Sequence, residues 1–120
     1  MKIGILVREE TMQKCTGKGC LSAFQKRKDS FARYDEPLEL LAFTHVGGEL
    51  EHKITRMINN EISVVHLSSC LRTKSPDYEA LAERLAEHFD VVGYTHGSAE
   101  GKKRETIMRT KKPKVQTSEG

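Results

Sequence analysis

The sequence predicts an α/β domain, a three-layer sandwich around a four-stranded parallel sheet of flavodoxin-like or Rossmann-like winding. Short apolar runs rich in β-branched residues recur at 3–7, 38–43, 62–67 and 91–94, and the stretches between them carry helical periodicity. Strands that alternate with helices pair in parallel through right-handed crossovers, which covers both faces of the sheet. A chain of 120 residues, 37% hydrophobic and 31% charged, supports one ordinary core. The expected organisation is one domain over 1–100 and a basic, flexible tail over 101–120.

The first strand is followed by Cys15-Thr16-Gly17-Lys18-Gly19-Cys20. A helix then begins whose inner face carries Leu21, Phe24 and Phe31 and whose outer face carries Lys26, Arg27, Lys28 and Asp29. Pro37 ends the connection to the second strand, which stops at Thr44-His45-Val46-Gly47-Gly48. Leu50, Ile54, Met57 and Ile58 form an amphipathic stripe that Asn59-Asn60 interrupts. The third strand runs into the polar turn Ser68-Ser69 and Cys70. Ser75-Pro76 has the form of a helix cap followed by proline in the first turn, and Tyr78, Leu81, Leu85 and Phe89 line one side of the helix behind it. The fourth strand ends at Thr95-His96-Gly97. Beyond Gly101 only Ile107 and Met108 can pack, so a short helix at most is expected there.

The formal charge of +3 is uneven: from Gly101 on, seven basic residues face two acidic ones, so the domain itself is mildly acidic. The tail has no aromatic residue to stack on bases, and nucleic acid is not an expected partner. No apolar run approaches the roughly 20 residues needed to span a bilayer. The opening run is short and meets Arg8, Glu9 and Glu10, unlike a signal peptide, so the expected location is cytoplasmic with no membrane partner. In that compartment three cysteines are free, metal-bound or redox-active rather than a disulfide framework.

In parallel sheets ligands bind outside the carboxyl ends of the strands. Each chemically unusual residue follows a predicted strand: Cys15 and Cys20 the first, His45 the second, Ser69 and Cys70 the third, His96 the fourth. Three thiols and two imidazoles are therefore expected on one edge. Thiolate and imidazole in tetrahedral sets suit zinc and related transition metals, although a spread set with Cys-x4-Cys spacing is looser than a zinc knuckle. Cys70 also reads as a small buried hydrophobe. A second chemistry is thiol redox: Cys20, near a helix N-terminus and Lys18, is expected to be acidic, with Cys15 able to resolve its oxidised form. A small anion at that helix N-terminus is a further expected partner. A phosphatase loop is excluded, since Leu21 and Lys26 stand where its arginine belongs, and Gly17-Lys18-Gly19 lacks the Walker spacing. His66, inside a strand, is expected to be a hydrogen-bonded structural residue, and His52 and His88 lie on helices.

The order Cys15-Thr16-Gly17-Lys18-Gly19-Cys20-Leu21-Ser22-Ala23-Phe24, then Phe31-Ala32-Arg33-Tyr34, a glycine pair after the second strand, Val65-His66-Leu67-Ser68-Ser69-Cys70 and Thr95-His96-Gly97 resembles the CGGC-domain family over residues 2–97. The resemblance implies metal binding, zinc first, and Cys15, Cys20, Cys70 and His96 match the family pattern position by position. At the name-giving motif the chain reads His45-Val46-Gly47-Gly48-Glu49, without cysteine, and two further thiol positions read Val7-Arg8 and Thr73-Lys74-Ser75-Pro76. His45 and Glu49 are then replacement ligands of a harder site, with His66 behind the ligands. The expected function is transition-metal (zinc) binding through Cys15, Cys20, Cys70, His96 and His45. The alternative is a metal-free thiol redox or sensing protein using Cys20 and Cys15. No catalytic residue is assigned.

Overall fold

The computed structural model describes residues 1–100 and 104–113. Strand β1 (Lys2–Val7) is followed by a short helix α1 (Glu9–Met12), α2 (Lys18–Gln25), a 3-10 turn at Asp29–Arg33 and the edge strand β2 (Glu39–His45). Then come α3 (Leu50–Asn59), β3 (Val64–Leu67), α4 (Ser69–Lys74), α5 (Tyr78–Leu85), β4 (Asp90–Val92) and β5 (Met108–Arg109). The sheet order is β2-β1-β3-β4-β5. The first four strands are parallel and β5 pairs antiparallel to β4.

The sheet therefore has five strands and mixed direction, where four parallel strands were expected. The fifth comes from the segment read as a short helix. Val91 faces Arg109 and Val92 faces Met108, so Met108–Arg109 adds a strand to the edge of β4 in place of the short helix expected there. Backbone groups along β4 would otherwise lack protein partners, and pairing supplies them. The segment is tied down further. The Ile107 N–H donates to the Tyr78 hydroxyl at 3.0 Å, Lys111 N–H to Asp90 Oδ1 at 2.7 Å, and Lys112 N–H to the Ala86 carbonyl at 2.7 Å. Residues 101–103 and 114–120, the rest of the expected tail, lie outside the described residues.

Period-two alternation along β1 divides the core. Ile3, Ile5 and Val7 pack with Cys20, Ala23 and Phe31 on the α2 side, and Leu6 packs with Ile54, Met57, Leu71 and Leu85 on the side of α3, α4 and α5. The link from β1 to β2 crosses one face and the link from β2 back past β1 to β3 crosses the other, as right-handed crossovers in opposite directions require.

Two helical expectations are corrected. The first helix stops at Gln25, because Arg27 and Asp29 take positive φ (52° and 55°), and Phe31 reaches the core from the 3-10 turn instead. The turn after β3 is a helix: Ser68 caps α4 by accepting the Leu71 N–H.

Candidate functional site

The chain reverses its direction of travel across the sheet between β1 and β3, and the loops after these neighbours leave their carboxyl ends in opposite directions, the position where sheets of this kind bind ligands. The β1 loop brings Cys15 and Cys20, the β3 end brings Ser68, Ser69 and Cys70, and the next strand brings Thr95 and His96. His45 ends β2, the outer neighbour of β1.

Cys15 is exposed, and its Sγ accepts the Gly17 N–H at 3.3 Å. Gly17 caps α2 with φ of 83°, and a Cβ there would stand 2.7 Å from the ring of Phe43. Gly17→Ala combines left-handed strain with that collision and is expected to lower stability by roughly 1–3 kcal/mol. Urea unfolding checks this; an unchanged midpoint would mean that Phe43 moves aside freely.

Cys20 is buried in the first turn of α2, and its Sγ lies 3.1 Å from Thr95 Oγ1. Burial pushes its thiol up from the ordinary value, the Thr95 hydroxyl pulls it back, and the Cys70 and Cys15 thiols push it up further. The expectation of an acidic Cys20 is thus corrected. Desolvation of a thiolate outweighs what the helix end and Lys18 were expected to contribute. The thiols of Cys15 and Cys70 therefore both act on Cys20. Cys70 is half-buried, its Sγ 2.8 Å from Ser68 Oγ.

His96 is exposed, and its ring lies on the first turn of α2, where a Cβ on Gly19 would be 2.9 Å from Nε2. Ser69 grips its backbone: Oγ donates to the His96 carbonyl at 2.6 Å and accepts the N–H groups of His96 at 3.2 Å and Thr95 at 3.4 Å. His45 is turned into its own loop. Its Nδ1 accepts the Gly47 N–H at 3.0 Å, while Lys53 Nζ donates to the His45 and Gly47 carbonyls at 2.7 and 2.9 Å.

The donor set of three thiols and an imidazole suits zinc in kind. Its arrangement does not: among the described residues no three His, Cys, Asp or Glu side chains are grouped to hold a metal ion. The sulfur atoms of Cys15, Cys20 and Cys70 and the Nδ1 of His45 each have a separate local partner. Two cavities, about 590 Å³ beside α5 and about 630 Å³ near Phe89, lie elsewhere, and no cysteine lines either.

Behind the thiols stands a polar chain that sequence reasoning left unassembled. His66 is fully buried and stacked on Phe31 at 4.2 Å between ring centroids. Its Nδ1 is 3.2 Å from the Tyr94 carbonyl and 3.0 Å from Ser30 Oγ, and its Nε2 is 2.7 Å from the Tyr34 hydroxyl. A carbonyl only accepts, so Nδ1 carries the proton and Nε2 accepts from Tyr34. Burial drives the His66 pKa down to about 3, and burial likewise drives Tyr34 up to about 12. Both groups are neutral across the physiological range. The signal available in the sequence was the histidine itself, a polar ring inside an apolar strand that needs buried partners.

Fold and loops together define a mixed α/β domain whose cysteines and two of whose histidines lie on the strand ends, loops and helix starts at the carboxyl edge of the sheet. The CGGC-domain model matches residues 2–96, and the chain belongs to that family. No curated protein and no solved structure matches it.

Proposed function

We propose that the protein works through thiol chemistry at the carboxyl edge, with Cys15 as the entry sulfur and Cys20 as its buried partner. The observation behind this reading is the contrast between the two ends of one loop: an exposed sulfur resting on a backbone N–H and a buried sulfur within its electrostatic reach. A thiolate is the attacking species, and an accessible one meets a dissolved disulfide first. The Cys15 thiolate attacks one sulfur of a small disulfide RSSR and one RS⁻ leaves. The Cys20 thiolate then attacks Cys15 Sγ, closing the Cys15–Cys20 bond and releasing the second RS⁻. The dithiol loses two electrons and two protons, and RSSR becomes two RSH. This reading exchanges the order expected from sequence, in which Cys20 was the acidic thiol.

Zinc binding is the second reading, favoured by membership in the CGGC-domain family and by the donor chemistry of Cys15, Cys20, Cys70 and His96. It requires side chains that now bond locally to turn toward one point, and His45 would have to leave its loop bond. No step is derived through the metal. The strand order β2-β1-β3-β4 also supports a flavodoxin-like winding for the parallel part of the sheet.

Timed alkylation with mass-spectrometric readout separates the readings. Cys15 is expected to label first and Cys20 last, with rates unchanged by one equivalent of zinc. Equal labelling of all three would count against the assigned order. Zinc protection of Cys15, Cys20 and Cys70 that a chelator reverses would favour the metal reading.

A further inference from the structure

Arg72, on α4, is buried, with 7% of its surface exposed. Its Nη1 donates to the Ser98 carbonyl at 2.8 Å and to the Thr106 hydroxyl at 2.6 Å, and its guanidinium lies 5.4 Å from the centre of the Tyr94 ring. A buried guanidinium ordinarily faces a carboxylate, because an uncompensated charge away from water is costly. Among the described residues no carboxylate pairs with Arg72, and none pairs with Arg104. Arg104 is half-buried, its Nη1 donates to the Ser75 carbonyl, and its guanidinium lies 5.7 Å from the centre of the Tyr78 ring. This leaves the Nε–Nη2 edge of Arg104, the side whose parallel N–H groups can grip two oxygens at once, without a partner among the described residues.

Arg104 and Thr106 line the cavity of about 590 Å³ beside α5, and Arg72 stands behind its Thr106 wall. That volume lies within the range of small-molecule sites, about 300–1,000 Å³. Burial pushes the Tyr78 hydroxyl up from its ordinary value, and the Ile107 N–H with Arg72, Arg104 and Arg109 pulls it back, so three guanidiniums act on one wall of the cavity. The acidic residues nearby leave two of them uncompensated. Glu83 pairs with Arg109 and Lys112, while Glu79 and Glu105 line the cavity, are exposed and pair with no arginine. We propose that this cavity binds a phosphate group, free or carried by a small phosphorylated molecule, with Arg104 as the contacting fork and Arg72 as a positioning residue that holds the Thr106 wall and adds charge behind it. A dianion matches two uncompensated guanidiniums, and the open edge of Arg104 matches two of its oxygens. Pro76, Tyr78 and Ile107 give the body of such a molecule an apolar wall. No cysteine lines this cavity, and the site stands apart from the thiol reading.

The test is an amide NMR titration of the full chain at constant ionic strength with phenyl phosphate, inorganic phosphate and benzoate. Phenyl phosphate is expected to give saturable shifts at Glu79, Thr106 and Ile107. Arg104→Gln is expected to lower its affinity by about tenfold or more, and Arg104→Lys, which keeps the charge and loses the fork, should fall between the two. Tighter binding of phenyl phosphate than of inorganic phosphate identifies a phosphorylated molecule as the ligand, and equal binding identifies free phosphate; either result supports the site. No saturation by either phosphate in the wild-type chain would overturn the proposal. So would undiminished binding in Arg104→Gln, shifts centred on the first turn of α2, or benzoate binding as tightly as phenyl phosphate.

Discussion

Between pH 6.5 and about 3 the protein is expected to lose stability through His66 alone, by roughly 1–1.5 kcal/mol for each unit of pH. The folded pKa lies below the unfolded one, so in this window the unfolded chain binds a proton that the folded chain refuses. Stability is then fully present above pH 6.5 and falls as pH drops toward the folded value. The physical origin is the full burial of the ring, its stack on Phe31 and the Nδ1–H tautomer that Tyr94 and Tyr34 enforce. Protonating Nε2 would set two donors against each other at the Tyr34 contact. Urea unfolding of wild type and His66→Gln at pH 7, 5.5 and 4.5 is the check. The gap between the two proteins should narrow as pH falls, while a constant gap would mean that His66 titrates normally. Should the variant not fold, the imidazole ¹⁵N shifts of wild type should show a neutral Nδ1–H ring at pH 4.5.

Gly93→Ala is expected to be the most damaging single methyl in the fold, costing roughly 2–3 kcal/mol. An added Cβ would lie 2.2 Å from the Tyr78 hydroxyl, 2.3 Å from the Ile107 carbonyl oxygen and 2.9 Å from Ile107 N. Two of these three atoms are backbone, so no rotamer change relieves the contact. Tyr78 is wholly buried, donates to the Gly93 carbonyl at 2.6 Å and accepts from Ile107 N, so its hydroxyl is the pin that fixes the last strand to β4. Displacing it should release residues 104–113 while leaving the parallel strands paired. Amide hydrogen exchange reads this directly. Protection should disappear at Ile107 and Met108 first and persist in β1 and β3. Uniform loss, or none, would contradict the expected role of the pin.

The four parallel strands were legible because each is a compact apolar run, and the loops that carry chemistry were legible because each follows such a run. Met108–Arg109 was not, since two residues in a basic stretch have no period and gain their order only from the open edge of β4 and from Tyr78. Phe31 carried a correct signal for burial and a wrong one for structure, because Arg27 and Asp29 adopt positive φ without the glycine that would announce a break. The direction of the Cys20 shift depended on a contest between helix end and burial that only packing against Val7, Ala23 and Thr95 decides. Likewise His45 reads as a ligand by position, and it is Lys53, eight residues on, that closes the loop around it.

A redox titration with small thiol–disulfide pairs, followed by peptide mapping of the alkylated protein, tests the thiol reading most directly. It should give one reversible two-electron transition that joins Cys15 to Cys20 within a single chain and leaves Cys70 free to label. Three free thiols under oxidising conditions, or disulfides formed only between chains, would contradict it.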